Sequence, residues 1–242
     1  MKEESLNILS VNLHPVNMTE ALDIIEGFIQ EKTSHMVITL GTEMTMMAQK
    51  DQELKDVINN AHLVVPDTAG IVWSTKYLYG KKITKVAGIE LLEKLVERGA
   101  EKNYTFYFLG AQEGIAEKAA ENLKRRFPSL KIGGTHHGYF KGKDNEVIEE
   151  IRKVKPHILI IAMGVPYQEK WIYRHLEKLN VPVSMGVGGS FDVLSGKLSR
   201  APKWMITLNL EWLYRLYREP SRFMRMMALP HFVILVLKRK FL

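Results

Sequence analysis

The chain of 242 residues contains no cysteine. That excludes a disulfide framework, a thiolate metal site and a cysteine nucleophile, and it fits a reducing compartment. No Asp-x-Asp and no His-x-x-x-His occurs, so the common carboxylate and histidine metal spacings are missing too. The adjacent His136 and His137 are expected to project apart. Long apolar runs are also lacking. The longest near the end, Phe232–Leu237, is six residues, and spanning a bilayer takes roughly 20. The first residues, MKEESLNILSV, have neither the charged nor the apolar region of a signal peptide. These absences predict a cytoplasmic protein whose membrane contact, if any, is peripheral.

Acidic residues are scarce in one place. From Gly196 to Leu242 there are ten Lys and Arg but only Glu211 and Glu219, a local charge of +8. The preceding 195 residues hold the other 24 basic and 25 acidic side chains, a net of −1. The formal +7 of the whole chain is therefore a property of its last 47 residues. Such asymmetry points to an anionic partner, either a membrane surface or nucleic acid.

What is present is ordinary globular composition, 46% hydrophobic and 25% charged, which argues against long disorder. Short apolar runs at 7–11, 36–40, 63–66, 105–109, 158–163 and 183–187 read as strands. Amphipathic stretches at 18–31, 43–59, 69–79, 89–99, 113–127, 144–154 and 167–179 read as helices. Apolar strands joined by helices predict an α/β fold with a parallel sheet covered on both faces. After Gly196 only helix-forming stretches remain, broken by Pro202, Pro220 and Pro230. The expected division is an α/β domain over 1–195 and a basic helical appendage over 196–242.

Ligands of open α/β sheets bind at the carboxyl ends of the strands. Gly and polar residues concentrate there. Gly186-Val-Gly-Gly-Ser-Phe191 has Phe191 where a dinucleotide fingerprint needs its third glycine, and no βαβ unit follows it. It reads better as a phosphate loop in which Gly188 and Gly189 allow close backbone approach, or as a plain strand-to-helix turn. Gly110-Ala-Gln-Glu-Gly114 has the same ambiguity. Asp67 ends an apolar strand and precedes a helix. It is either an N-cap or, if Thr68 takes that role, a carboxylate free to act as a general base in the cleft.

In the appendage, Arg215, Arg218, Arg222 and Arg225 are spaced to share one helix face, with Pro220 able to restart the helix. Trp204, Trp212, Tyr214 and Tyr217 interleave with them. The aliphatic run Phe232–Leu237 followed by Lys238-Arg-Lys240 favours anionic lipid over nucleic acid.

Met163–Trp171, Gly186–Gly196, Arg200-Ala-Pro202 and Leu210–Arg215 together carry a resemblance running from about Asn7 to Pro220. The chain resembles the bacterial N-acetylmannosaminyltransferases of wall teichoic acid and enterobacterial common antigen synthesis, glycosyltransferase family 26. The resemblance implies a Rossmann-like core with a C-terminal appendage. It implies metal-independent, inverting transfer from a UDP-sugar donor, UDP-N-acetylmannosamine in the teichoic acid branch, to undecaprenyl-diphosphate-linked N-acetylglucosamine, with no cofactor. The family's catalytic aspartate falls on Asp67 and its cleft threonine on Thr39. Its cleft glutamine falls on Gln168, its nucleotide-contacting pair on Phe191-Asp192, and its appendage arginines on Arg215, Arg222 and Arg225. Lys85 stands where an arginine is common, giving a point charge without the bidentate fork. Gly41-Thr42 stands where many members carry an Asn nearby. These departures bear most on the donor, leaving N-acetylmannosaminuronic acid or a hexose as alternatives. An anionic membrane surface at the inner face of the bacterial cell membrane is the further partner implied. A homo-oligomer remains open.

Two other classes compete. An NAD-dependent oxidoreductase needs an acidic residue about 20 positions after an early Gly-rich turn, which this chain lacks. An RNA-binding protein with a basic tail would show steep salt dependence and no UDP binding.

Overall fold

The computed structural model describes residues 5–220 and 223–240. It opens with a hairpin, β1 (Leu6–Ile8) and β2 (Val11–Leu13), where one strand over 7–11 was expected. Leu9 and Ser10 form the turn with φ of 49° and 70°. Positive φ at both positions matches the twist of a tight hairpin, a place usually taken by Asn-Gly. Without that signature the turn is invisible in the sequence.

Helix α1 (Met18–Glu31) starts at a capping box. Asn17 accepts from the N–H groups of Thr19 and Glu20, and Glu20 reaches back to the Asn17 N–H. There follow β3 (His35–Leu40), α2 (Thr42–Ala48), α3 (Gln52–Asn59), β4 (Leu63–Pro66), α4 (Ala69–Tyr79), α5 (Gly88–Glu101) and β5 (Thr105–Gly110). Then come α6 (Ile115–Arg126), β6 (Lys131–His136), α7 (Asp144–Val154), β7 (Ile158–Ala162), α8 (Tyr167–Leu179), β8 (Val183–Gly186) and α9 (Ser190–Leu194). The single helix expected over 43–59 is two, because Asp51 caps a new helix by accepting from Leu54 N–H at 3.1 Å.

β3 to β8 form one sheet in the order β4-β3-β8-β7-β5-β6, with every pair parallel. Strand side chains alternate between two apolar layers. Met36, Ile38 and Leu40 face α2, α3 and α8, while Val37, Leu63 and Val65 face α1 and α5. Both faces are covered, so strands read as continuous apolar runs. β6 breaks that rule and was missed. Its Gly133 and Gly134 are needed because a Cβ would come within 2.4 Å of Val154 Cγ1 and 2.5 Å of the Tyr107 ring.

The appendage comprises α10 (Lys203–Thr207), α11 (Glu211–Arg218), α12 (Phe223–Met226) and α13 (Ala228–Arg239). The first three bury no residue. α13 returns to the body and packs on α2 and α4. Its Phe232 and Val236, one turn apart, are 1% and 0% exposed. The run Phe232–Leu237 is thus split: Val233, Ile234 and Leu237 stay on the outside. Arg239 Nη2 donates to Asn7 Oδ1 at 2.9 Å, and Lys240 Nζ sits 4.5 Å from the Tyr77 ring centroid. Pro230 falls in the first turn of α13, where a missing N–H costs nothing. Among the described residues no helix is long and apolar enough to cross a membrane.

Candidate active site

β3 and β8 are neighbours, but α2 leaves β3 toward one face and α9 leaves β8 toward the other. The two loops diverge and open a crevice at the carboxyl edge, the usual ligand position in such sheets. A cleft of about 330 Å³ lies there. The ends of β3, β4, β7 and β8 form its floor, and α11, α12 and α13 of the appendage lean over it.

Asp67 stands at the end of β4, half-buried in the cleft. Its Oδ1 accepts from Gly88 N–H at 2.6 Å. Gly88 is the first residue of α5, so the carboxylate sits on the positive end of a 14-residue helix. Thr68, though at the N-cap position of α4, makes no cap with its side chain. Its hydroxyl accepts from Thr42 N–H at 3.2 Å and bonds Thr42 Oγ1 at 3.0 Å. Asp67 is thereby turned to the cleft without capping its own helix. Burial pushes its carboxyl above the usual range, and Glu211 adds to the rise. The Gly88 N–H, Arg215 and Lys85 oppose it without cancelling it.

Thr39 interlocks with this corner. Its Oγ1 donates to Gly186 O at 3.3 Å. A Cβ on Gly88 would come within 3.1 Å of Thr39 Cγ2, so a larger residue there would require Thr39 to give by a few tenths of an ångström. Gln168, at the start of α8, is 1% exposed. Its Oε1 accepts from Gly164 N–H at 3.2 Å and Gly188 N–H at 3.0 Å, tying two floor loops together. Its Nε2 donates to Glu169 Oε1 at 2.7 Å. Glu169 is equally buried, and burial pushes its carboxyl up to about 7. Gly188, with φ of 54°, and Gly189 line the cleft beside Gln168.

Lys85, Arg215 and Arg225 also line the cleft. The arginines do not share one helix. α11 ends at Arg218 before Pro220, and α12 begins at Phe223, so Arg215 and Arg225 arrive from separate helices. Each meets a glutamate: Arg215 lies 3.3 Å from Glu211, and Arg225 lies 3.7 Å from Glu43. Arg222 falls outside the described residues.

Phe191 and Asp192 do not reach this cleft. Phe191 is fully buried and stacks on Phe108 with ring centroids 4.9 Å apart. Asp192 pairs with Lys197 at 3.0 Å. A Gly-Gly-Ser-Phe turn does not reveal which way its aromatic points, and here the apolar side of α9 takes it inward. His136 and His137 do not project apart; their ring centroids are 4.6 Å apart. Their Nδ1 atoms are engaged with backbone, His136 with His137 O and His137 with Tyr139 N–H. Among the described residues no three His, Asp or Glu side chains gather to hold a metal ion. Sequence reasoning gave no role to Gly88, Glu43, Glu211 or Trp212, all of which line the cleft. Gly88 gave no local signal, whereas Glu43 ended the segment Thr39–Glu43 expected at the sheet's carboxyl edge, and Glu211 and Trp212 lay inside the Leu210–Arg215 motif, all three without an assigned role.

The cleft therefore offers a raised carboxylate beside a helix N-terminus, with cations above it. That arrangement can take a proton from a hydroxyl and hold a diphosphate. The chain is similar to known proteins along nearly its whole length. The N-acetylglucosaminyldiphosphoundecaprenol N-acetyl-beta-D-mannosaminyltransferase of Bacillus subtilis (strain 168) is 32% identical over 225 residues, covering 93% of this chain and 88% of that protein. The protein of the same name from Bacillus spizizenii is 33% identical over 239 residues, covering 93% and 91%. That from Staphylococcus aureus (strain MW2) is 30% identical over 237 residues, covering 97% and 93%. Residues 6–242, from the first hairpin through the returning C-terminal helix, match the model of one family, and the chain belongs to it: the glycosyl transferase WecG/TagA/CpsF family.

Proposed function

We propose that the protein transfers N-acetylmannosamine from UDP-N-acetylmannosamine to undecaprenyl-diphosphate-linked N-acetylglucosamine, with inversion and without a metal ion, as in assembly of a wall teichoic acid linkage unit. The observation that carries the reading is Asp67. It is a carboxylate raised by burial, held on Gly88 N–H, and overhung by appendage cations. The names of the relatives supply the acceptor and the sugar.

Asp67 removes the proton from the acceptor's 4-hydroxyl as that oxygen attacks the donor's anomeric carbon. The bond to the UDP oxygen breaks on the opposite face, so one base suffices. Negative charge grows on the leaving diphosphate, where Lys85, Arg215 and Arg225 offset it, with the backbone of the Gly188-Gly189 turn close by. Thr39 and Gln168 keep the floor in register for this. Phe191 supports the β8–α9 loop from the core side, and Asp192 with Lys197 flanks it. Arg222 takes its part from the resemblance alone.

The acceptor is anchored in a bilayer, and the outer surface of the appendage suits that solvent boundary. Trp204, Leu208, Tyr217, Phe223 and Met224 are all more than half exposed there, among Arg and Lys side chains. The partner is therefore an anionic membrane surface. Arg215 and Arg225 turned into the cleft speak against a tail organised to grip RNA.

A donor screen tests the reading: the protein, a lipid-diphosphate N-acetylglucosamine acceptor and several UDP-sugars in EDTA, with UDP release measured. Release is expected with UDP-N-acetylmannosamine. Release only with another UDP-sugar would reassign the donor. An absolute need for Mg²⁺ or Mn²⁺ would overturn the metal-free mechanism.

A further inference from the structure

Arg200 stands at the joint between body and appendage, in the loop after α9. Its guanidinium works in two directions. Nη2 donates to Glu90 Oε1 at 2.5 Å, and Nε lies 3.8 Å from Glu211 Oε1. Glu90 belongs to the first turn of α5, two residues after the Gly88 whose N–H holds Asp67. Glu211 opens α11 and meets Arg215 Nη2 at 3.3 Å. A line of alternating charge thus runs Glu90, Arg200, Glu211, Arg215, and ends in the cleft above Asp67.

The inner members are the sheltered ones. The Arg200 side chain is 25% exposed and that of Glu211 20%, against 50% for Arg215. Salt screens such inner pairs less than surface pairs. α11 buries no residue, so packing alone does not fix it against the body. Arg200 Nε is buried and lacks a hydrogen-bond partner. At 3.8 Å from Glu211 it is too far to bond, and an inward movement of α11 by about 1 Å would close that gap.

We propose that Arg200 and Glu211 are positioning residues for the transfer. Arg200, anchored on Glu90, holds Glu211, and Glu211 holds the Arg215 guanidinium where the leaving diphosphate's charge develops. The base and the cation that serve opposite ends of the reaction are then both referenced to the first turn of α5. The inference rests on the reading of Arg215 as a diphosphate partner. It requires a fork: a lysine at 200 would meet one carboxylate and release the other.

The test is a double-mutant cycle in the full-length protein, read in UDP affinity by calorimetry and in kcat/KM with a short-chain lipid-diphosphate acceptor. Arg200→Gln and Glu211→Gln should each cost about 10-fold in both readouts. Arg200→Lys, which keeps the charge, should resemble Arg200→Gln. In an Arg215→Gln background the same changes should cost less than about twofold, because the side chain they position is gone. Equal losses in both backgrounds would make Arg200 a general structural tie and overturn the inference, while leaving the role of Arg215 standing. Tighter UDP binding by Glu211→Gln would also overturn it, since Glu211 would then compete with the diphosphate for Arg215. A wild-type protein that binds no UDP would overturn the underlying reading and the inference with it.

Discussion

Asp67 is held in a setting where its ionised form costs the fold free energy. Its carboxyl is raised above the ordinary range, chiefly by burial. A carboxyl with a raised folded-state value favours folding most in its protonated form. As pH rises from the unfolded-state value through the folded one, ionisation costs the native state free energy. Asp67→Asn removes that cost and can still accept from Gly88 N–H. The variant should therefore melt no lower than wild type at pH 7–8, and its relative advantage should shrink as pH falls into the ordinary carboxylate range. Turnover should fall about 10²–10⁴-fold, the usual loss for a removed general base, with UDP binding kept. Thermal melting across pH and single-turnover assays check both halves. Turnover within threefold of wild type would sink the assignment. In wild type, kcat/KM should rise with pH through a value above that of an ordinary aspartate, and this acid limb should be absent from any residual Asp67→Asn activity. The position of Asp67 in the cleft was legible because it follows an apolar strand at the sheet's carboxyl edge, although the sequence left an N-cap open as its duty. Gly88, its partner 21 residues on, was not: only the folded chain brings the start of α5 so near Thr39 that an added Cβ would lie 3.1 Å from Thr39 Cγ2.

Elements with strong periodicity stand where the sequence puts them. α1, α7 and α8 keep the expected bounds, since each carries an apolar stripe between clear stops; α4 keeps them too, with Gly80 as its stop rather than a stripe as its signal. The misses have local causes: a Leu-Ser hairpin turn without the usual glycine, a glycine-rich edge strand, and a new helix started by Asp51. The last helix carries the largest consequence. Phe232–Leu237 reads as an exposed aliphatic run, yet Phe232 and Val236 close the layer over α2 and α4. An apolar stripe with no partner in sequence looks the same whether it meets lipid or protein. Phe232→Ala should therefore cost about 3–5 kcal/mol, as for other buried phenylalanines, and lower the melting midpoint of a chain this size by roughly 6–20 °C. Chemical denaturation gives the free energy directly. A loss below about 0.5 kcal/mol, typical of surface changes, would mean that α13 does not rest on the body. Removal of residues 228–242 should likewise uncover the apolar sides of α2 and α4 on which α13 packs and destabilise the whole protein.

At the scale of the whole molecule, charge and apolar surface are separated by direction. The body is nearly neutral, while the appendage holds the surplus cations. Some of those cations, Arg215 and Arg225, face the cleft; Phe223, Met224 and Tyr217 face outward. Binding to vesicles should then have two terms. Cations near an anionic surface each contribute about 1 kcal/mol, and salt weakens this over a Debye length. Exposed aromatic and methionine side chains add an apolar term that salt does not screen. Sedimentation with phosphatidylglycerol vesicles should fall as salt rises and level off above zero. With neutral phosphatidylcholine it should be weak and nearly flat in salt. Replacing Tyr217, Phe223 and Met224 together with serine should remove the plateau and leave the salt-dependent part, without lowering the melting midpoint, because none of the three is buried. That variant should transfer sugar poorly to a full-length polyprenyl acceptor in vesicles and almost normally to a short-chain soluble one, since the cleft side of α11 and α12 is untouched. Equal loss with both acceptors would mean that the outward face shapes the cleft itself. Unchanged vesicle binding would place the membrane contact elsewhere on the protein.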